Sequence, residues 1–144
     1  MSGEFVVDAS AMAKVFVVEP ETAYMRAWLD GALHSAARLH APSLLLYELA
    51  NVVAHVRPRL DYPGDDPARA LVRETTGGIH IDPDAWARVD PWLDRLSAYD
   101  ASYLALAVAK AATLVTYDRK LRAVAKDHVP VLSPGAEASR ATPA

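Results

Sequence analysis

The sequence contains no cysteine. That excludes disulfides and thiolate metal sites, and it fits a reducing compartment such as the cytoplasm. Long hydrophobic runs are missing too. Stretches such as Tyr103–Ala109 fall far short of the about 20 residues that span a bilayer. The N-terminal region places Glu4 and then Asp8 inside its first apolar run, so it does not read as a signal peptide. No Gly-x-Gly-x-x-Gly follows that run, which argues against a dinucleotide-binding domain. His34, His40, His55, His80 and His128 show no paired ligand spacing. Zinc is therefore disfavoured, and the histidines read as surface or satisfied core residues. No internal repeat is visible. These absences predict a soluble, cytoplasmic protein without a membrane span.

A surplus of positive charge is also lacking. Lys and Arg number 15 against 18 Asp and Glu, a net charge of −3. Phosphate binding favours positive charge. If several acids are gathered in one metal pocket, however, the remainder of the chain is close to neutral. The total therefore neither supports nor excludes RNA. At 144 residues, 52% hydrophobic and 23% charged, the chain has the size and composition of one folded domain.

What is present alternates short apolar runs with helical patterns. Phe5-Val6-Val7 reads as a buried parallel strand ending at Asp8. Ala11–Val18 predicts a first helix, broken by Pro20. Glu21–Leu33 predicts a second that stops near Gly31. Arg38–Ala41 is a second strand candidate, closed by Pro42-Ser43, and Leu44–Val56 is a strongly apolar helix. Arg57 to Pro67 is a loop by its proline and glycine content. Ala68–Thr75 predicts a helix ending at Gly77-Gly78, and Ile79–Asp82 a third strand. Pro83 suits the first position of a helix with Trp86, Val89, Trp92 and Leu93 as its apolar stripe, kinked or split by Pro91. The stretch from Leu96 to Arg122 then gives an Ala/Leu-rich helix, the short strand Leu114-Val115 and a polar Thr-Tyr-Asp step. Val129–Leu132 is an edge-strand candidate, where its proline is tolerable. Residues 133–144 read as a loose tail after a domain of residues 1–132. The alternation predicts an α/β domain with a mostly parallel central sheet flanked by helices.

Four acids stand out. Asp8 and Asp118 each follow an apolar strand, Asp100 begins a helix, and Glu48 interrupts the otherwise apolar Leu44–Val53. Each has a plainer explanation. The three aspartates suit helix starts, and Glu48 could share a wet face with Asn51. Gathered at one place they point to a metal. Two carboxylates about 5 Å apart repel by roughly 3 kcal/mol at an effective dielectric of about 20. An all-oxygen donor set suits Mg²⁺ or Mn²⁺.

Val6–Ala11, Leu46–Asn51, Tyr99–Ala107 and Leu114–Asp118, in that order, resemble the four signature segments of PIN-domain ribonucleases. The similarity is in particular to the VapC toxins of bacterial and archaeal toxin–antitoxin pairs. The resemblance implies a single PIN-like domain and Mg²⁺-dependent endonucleolytic cleavage of RNA. It implies Asp8, Glu48, Asp100 and Asp118 as the acidic quartet, with Ser10 and Thr116 as hydroxyls that orient a carboxylate or water. Asp8, Asp100 and Glu48 would hold the metal directly or through water. Asp118 would complete the site or position the attacking water. A partner antitoxin and a homodimer are implied as well. Some family members carry a further acid just after the fourth, whereas Arg119-Lys120-Leu121-Arg122 follows here, which counts against a second strongly held metal.

Those bases with Lys126 form either a phosphate-facing patch or a solvated helix face. Lys14 reads as surface or as a phosphate contact. Trp28, Trp86 and Trp92 read as core or subunit interface, and Tyr47, Tyr99, Tyr103 and Tyr117 as packing. Two rival functions are a PIN-like module that binds RNA or protein without cutting, and a phosphohydrolase using Asp8 as nucleophile. The phosphohydrolase reading is weakened by Ser10, where the haloacid-dehalogenase arrangement has a second Asp.

Overall fold

Val6 and Val7 are fully buried, as a strand covered on both faces must be. They belong to β1 (Ser2–Val7), the middle strand of the sheet. The computed structural model describes residues 1–56 and 67–136. Within these, β2 (Ala36–Pro42), β3 (Ile79–Asp82), β4 (Thr113–Val115) and β5 (Val131–Leu132) complete one five-stranded sheet in the order β3-β2-β1-β4-β5. Every pairing is parallel. The helices are α1 (Ala9–Ala13), α2 (Thr22–Leu33), α3 (Leu44–Val56), α4 (Pro67–Thr76), α5 (Ala98–Lys110) and α6 (Arg119–Ala125). None of the described helices is long and apolar enough to cross a membrane.

The strand order decides where a ligand can sit. The chain lays β2 and β3 outward on one side of β1, then returns along α5 to place β4 and β5 on the other. The order reverses between β1 and β4, where Val6 pairs with Leu114 and Val7 with Val115. In open α/β sheets the crevice beyond the carboxyl ends at such a reversal is the ligand site. α5 makes the return through the core. Ala101 to Ala107 are all buried, and the helix packs against β1, β2 and the turn at Ala85–Arg88. Its alanines let the backbones approach closely. Ala111 ends it in the left-handed conformation at φ 49°, its N–H donating to the carbonyls of Ala107 and Val108.

α3 and β3 have the bounds the pattern predicts. Most other elements shift at their ends, and three differ in ways that side-chain contacts or proline bear on. α1 ends at Ala13 rather than Val18, and the chain just beyond it is held in a turn by side chains of α2. Thr22 Oγ1 donates to the Val17 oxygen at 2.9 Å, and Arg26 Nη2 donates to the Val15 oxygen at 2.9 Å. α2 runs through Gly31 to Leu33, since Met25, Leu29 and Ala32 hold one buried face against the sheet.

The helix expected after Pro83 is replaced by two 3-10 turns, Ala85–Arg88 and Asp90–Trp92. Pro91 has no N–H for a helical bond. Asp82 Oδ1 accepts the Asp84 N–H at 2.7 Å across Pro83, a side-chain turn. Val89 and Trp92 are buried, but Trp86 and Leu93 face solvent. Ser133 and Pro134 are buried against the end of β4, with Ser133 Oγ donating to the Thr116 carbonyl. The predicted loop 57–66 and the rest of the predicted tail, 137–144, lie outside the described residues.

Candidate active site

Asp8 is the first residue past β1 and Thr116 the first past β4. Because Val7 and Val115 are in register, the two leave the sheet side by side. The Asp8 N–H donates to the Val115 carbonyl at 3.1 Å. Its carboxylate then collects three donors. Ser10 Oγ donates to Oδ1 at 2.7 Å, the Ala11 N–H donates to Oδ1 at 2.9 Å, and Thr116 Oγ1 donates to Oδ2. Both hydroxyls are themselves fixed from behind. The Tyr117 N–H donates to Ser10 Oγ at 2.9 Å, and the Asp118 N–H to Thr116 Oγ1 at 3.0 Å. With backbone donors on their lone pairs, Ser10 and Thr116 are left to point their protons at Asp8.

Asp8 is 4% exposed, and burial pushes its carboxyl up to about 6. The three donors hold it below what burial alone would give, while the charge of Asp118 adds a further upward push.

The other acids arrive from three further elements. Asp118 caps α6, its Oδ1 accepting the Leu121 N–H at 2.9 Å. Asp100 lies in the first turn of α5, where Ser97 Oγ accepts its N–H at 3.2 Å. The cap there is Ser97, which leaves the Asp100 carboxylate free of that duty. Glu48 stands half-buried on α3 and accepts the Tyr103 hydroxyl proton on Oε1 at 2.6 Å.

The four share one electrostatic field. Burial raises the carboxyl of Asp100, and Asp118 raises it further, against a lowering influence from Lys120. Burial raises Glu48 as well, and the charge of Asp100 adds to it. Burial raises the Tyr103 hydroxyl most, and its bond to Glu48 and the charges of Glu48, Asp8 and Asp100 raise it further, so it keeps its proton and stays a donor.

The sequence profile of the PIN domain matches residues 5–127. The chain belongs to the PIN domain family. No curated protein matches its sequence significantly. Among solved structures, this PIN domain is similar to PAE2754 from Pyrobaculum aerophilum, with a TM-score of 0.60 and 27% identity over 90% of this chain and 92% of that one. It is also similar to VapC20 of Mycobacterium tuberculosis, described as a sarcin-ricin loop cleaving toxin (TM-score 0.61, 16% identity, 83% of this chain and 94% of that one). A third likeness is to VapBC2 from Rickettsia felis, solved bound to a DNA fragment from its promoter (TM-score 0.63, 13% identity, 90% and 97%). The last two identities establish a shared fold.

PIN nucleases generally use divalent metals. Among the described residues, no three acids or histidines stand close enough to grip one ion together. None of the four acids has an ion-pair partner among them either. Mg²⁺ keeps several waters and binds through one or two carboxylates. An all-oxygen set of acids in a shared field fits such a hydrated ion, and it does not fit one wholly enclosed by protein.

Several residue readings change. Tyr103 is not mere packing, because it holds Glu48. The available signal was its position three residues after Asp100, one turn along the same helix face. Tyr47 and Tyr99, read as packing, are 73% and 66% exposed. They line an apolar hollow of about 290 Å³ with the exposed Trp86. Trp28 and Trp92 do pack inward, Trp28 edge-on to Phe5 at 5.3 Å. Lys14 is neither plain surface nor free, since it pairs with Glu19 at 2.5 Å and Glu21 at 3.2 Å. His40 is a satisfied buried histidine, paired with Glu4 at 2.6 Å.

Proposed function

We propose that this PIN domain is a Mg²⁺-dependent endoribonuclease (Mn²⁺ serving as an alternative) that acts as the toxin of a VapC-type toxin–antitoxin pair in the cytoplasm. The observation that carries the reading is the shared field of Asp8, Glu48, Asp100 and Asp118 at the β1/β4 reversal. Burial raises Asp8, Asp100 and Glu48 there, the charge of Asp118 adds to the first two and that of Asp100 to the third, and none of the four has an ion-pair partner among the described residues.

Asp8, Asp100 and Glu48 would hold the ion directly or through water. When bound, it supplies Lewis acidity toward the phosphodiester and offsets the charge of the leaving oxygen. The chain's own part is orientation. Ser10 and Thr116 fix both oxygens of Asp8, Tyr103 fixes one oxygen of Glu48, and α6 fixes one oxygen of Asp118. The remaining oxygen of Asp118 would complete the site or orient the attacking water.

A partner antitoxin is supported by the likeness to VapBC2, solved bound to a DNA fragment from its promoter. A homodimer is supported by the exposed Tyr47, Trp86 and Tyr99, since contiguous exposed aromatics mark association surfaces.

The test is cleavage of single-stranded and stem-loop RNA by the purified chain with Mg²⁺ and with EDTA, followed by sequencing of the RNA ends. Asp8→Asn and Asp100→Asn are expected to abolish cleavage with the circular dichroism spectrum unchanged. Cleavage by Asp8→Asn at the parent rate overturns the assignment. The spacing of the acids favours one alternative, a PIN module that binds RNA without cutting. RNA binding with no EDTA-sensitive cleavage is its signature.

A further inference from the structure

Beside the acids runs a cleft of about 590 Å³ whose wall is one face of α6: Arg119, Arg122, Ala123 and Lys126. Positions 119, 122, 123 and 126 fall on a single helical stripe about 10 Å long at 1.5 Å per residue. Lys14, Glu21 and Tyr117 form the opposite side. The cleft is tied to the acids by the chain itself, because Tyr117 lies between Thr116 and Asp118. Its N–H donates to Ser10 Oγ at 2.9 Å, and its hydroxyl donates to the Pro134 carbonyl at 2.6 Å. Arg122 is steadied by Ser133 Oγ, at 2.5 Å from Nη1.

The charges in this cleft do not cancel. Lys14 is neutralised by Glu19 and Glu21 and covers the Tyr117 ring, 4.9 Å from its centroid. Arg119, Arg122 and Lys126 have no carboxylate partner among the described residues. A protein of net charge −3 thus has three cations without a carboxylate partner among the described residues in one groove joined through Tyr117 to the acidic point at Asp8 and Asp118. That acidic point repels a polyanion unless adjoining groups draw it in.

We infer that the α6 cleft is a phosphate track that holds the RNA backbone beside the scissile phosphodiester, with Arg119 and Lys126 as its free cations and Arg122 fixed between them. The track rests on the endoribonuclease reading and adds to it the direction in which the strand leaves the acids. Contact is with phosphates, so binding is salt-dependent and tolerant of sequence.

The test uses the full chain with Asp8→Asn, which prevents cleavage, and a fluorescent single-stranded RNA followed by anisotropy over a range of salt. Arg119→Ala and Lys126→Ala are each expected to weaken binding about 3- to 10-fold. Each should also lower the slope of log K against log salt by about 0.7, the value for one phosphate on a single strand. Lys110→Ala, a cation outside this cleft, leaves Kd unchanged. In the cleaving parent, Lys126→Ala raises KM and leaves kcat within about twofold, as loss of uniform binding requires. RNA bound by Asp8→Asn with Kd and slope unmoved by Arg119→Ala and Lys126→Ala overturns the track and leaves the nuclease standing. Loss of binding to an acidic protein partner with RNA binding intact overturns it in favour of a protein site. If the parent neither binds nor cuts RNA, the nuclease reading fails and the track fails with it.

Discussion

Asp8 caps α1, accepts three hydrogen bonds and occupies a dry position at the end of two strands, all with one carboxylate. Its raised pKa makes it a cost at neutral pH. The folded value is about 6 against an ordinary 3.8, so the folded state holds the proton more tightly. The stability gained from this is fully present below about pH 3.8 and lost as pH rises through about 6. The difference corresponds to about 3 kcal/mol of penalty for the ionised group above pH 6. In EDTA, Asp8→Asn is therefore expected to melt several degrees above the parent at pH 7.5, with the gap closing toward pH 4. Equal melting temperatures at pH 7.5 would contradict the buried-charge account. Activity should fall below a midpoint at or under about pH 6, because a bound cation favours the ionised form. Tyr103→Phe leaves Glu48 without its donor. It is expected to raise the Mg²⁺ concentration needed for half-maximal cleavage while costing about 1 kcal/mol of stability, read by metal titration and by denaturant unfolding.

Elements fix how far such side chains can stray. α5 delivers both Asp100 and Tyr103, and its buried run Ala101–Ala107 leaves no room for rotation. Leu104 is fully buried there, and Leu104→Ala is expected to cost 2–5 kcal/mol by the usual range for core truncation. Ala111, at φ 49°, stores strain that glycine would not. Ala111→Gly should stabilise by up to about 1 kcal/mol after the entropy of the freer unfolded chain is deducted. Chemical denaturation checks both. The elements were legible in the sequence wherever one local preference ruled. Leu44–Val56 is uniformly apolar and helical, and Ile79–Asp82 is bounded by Gly78 and Pro83. Legibility failed at Ala11–Val18, where Thr22 and Arg26 of α2 hold the chain that follows α1, and after Pro83, where Pro91 cannot make a helical bond.

For the whole molecule, the decisive properties are charge and unsatisfied surface. A divalent cation should raise the melting temperature of the parent at pH 7.5 by mass action on the folded state. It should do so far less for Asp8→Asn, as differential scanning fluorimetry with and without EDTA will show. The exposed Trp86, at 72%, gives the homodimer its own test. Light scattering is expected to give twice the chain mass for the parent and a monomer for Trp86→Glu, a variant remote in sequence from every quartet acid.

The sequence alone determined the α/β class, the bounds of its uniform elements and the identity of the four acids as chemistry worth explaining. Those properties are local, since periodicity, proline and a carboxylate in an apolar run are visible one stretch at a time. Only tertiary structure decided that Tyr103 reaches Glu48, that Ser10 and Thr116 aim their protons at Asp8, and that Tyr47, Tyr99 and Trp86 face outward. The Thr116 contact to Asp8 depends on the β1/β4 reversal, which brings residues a hundred positions apart within hydrogen-bonding distance, and the Tyr103 contact joins α5 to α3. Hydrogen bonds and electrostatic fields act across space, and chain order does not record that distance.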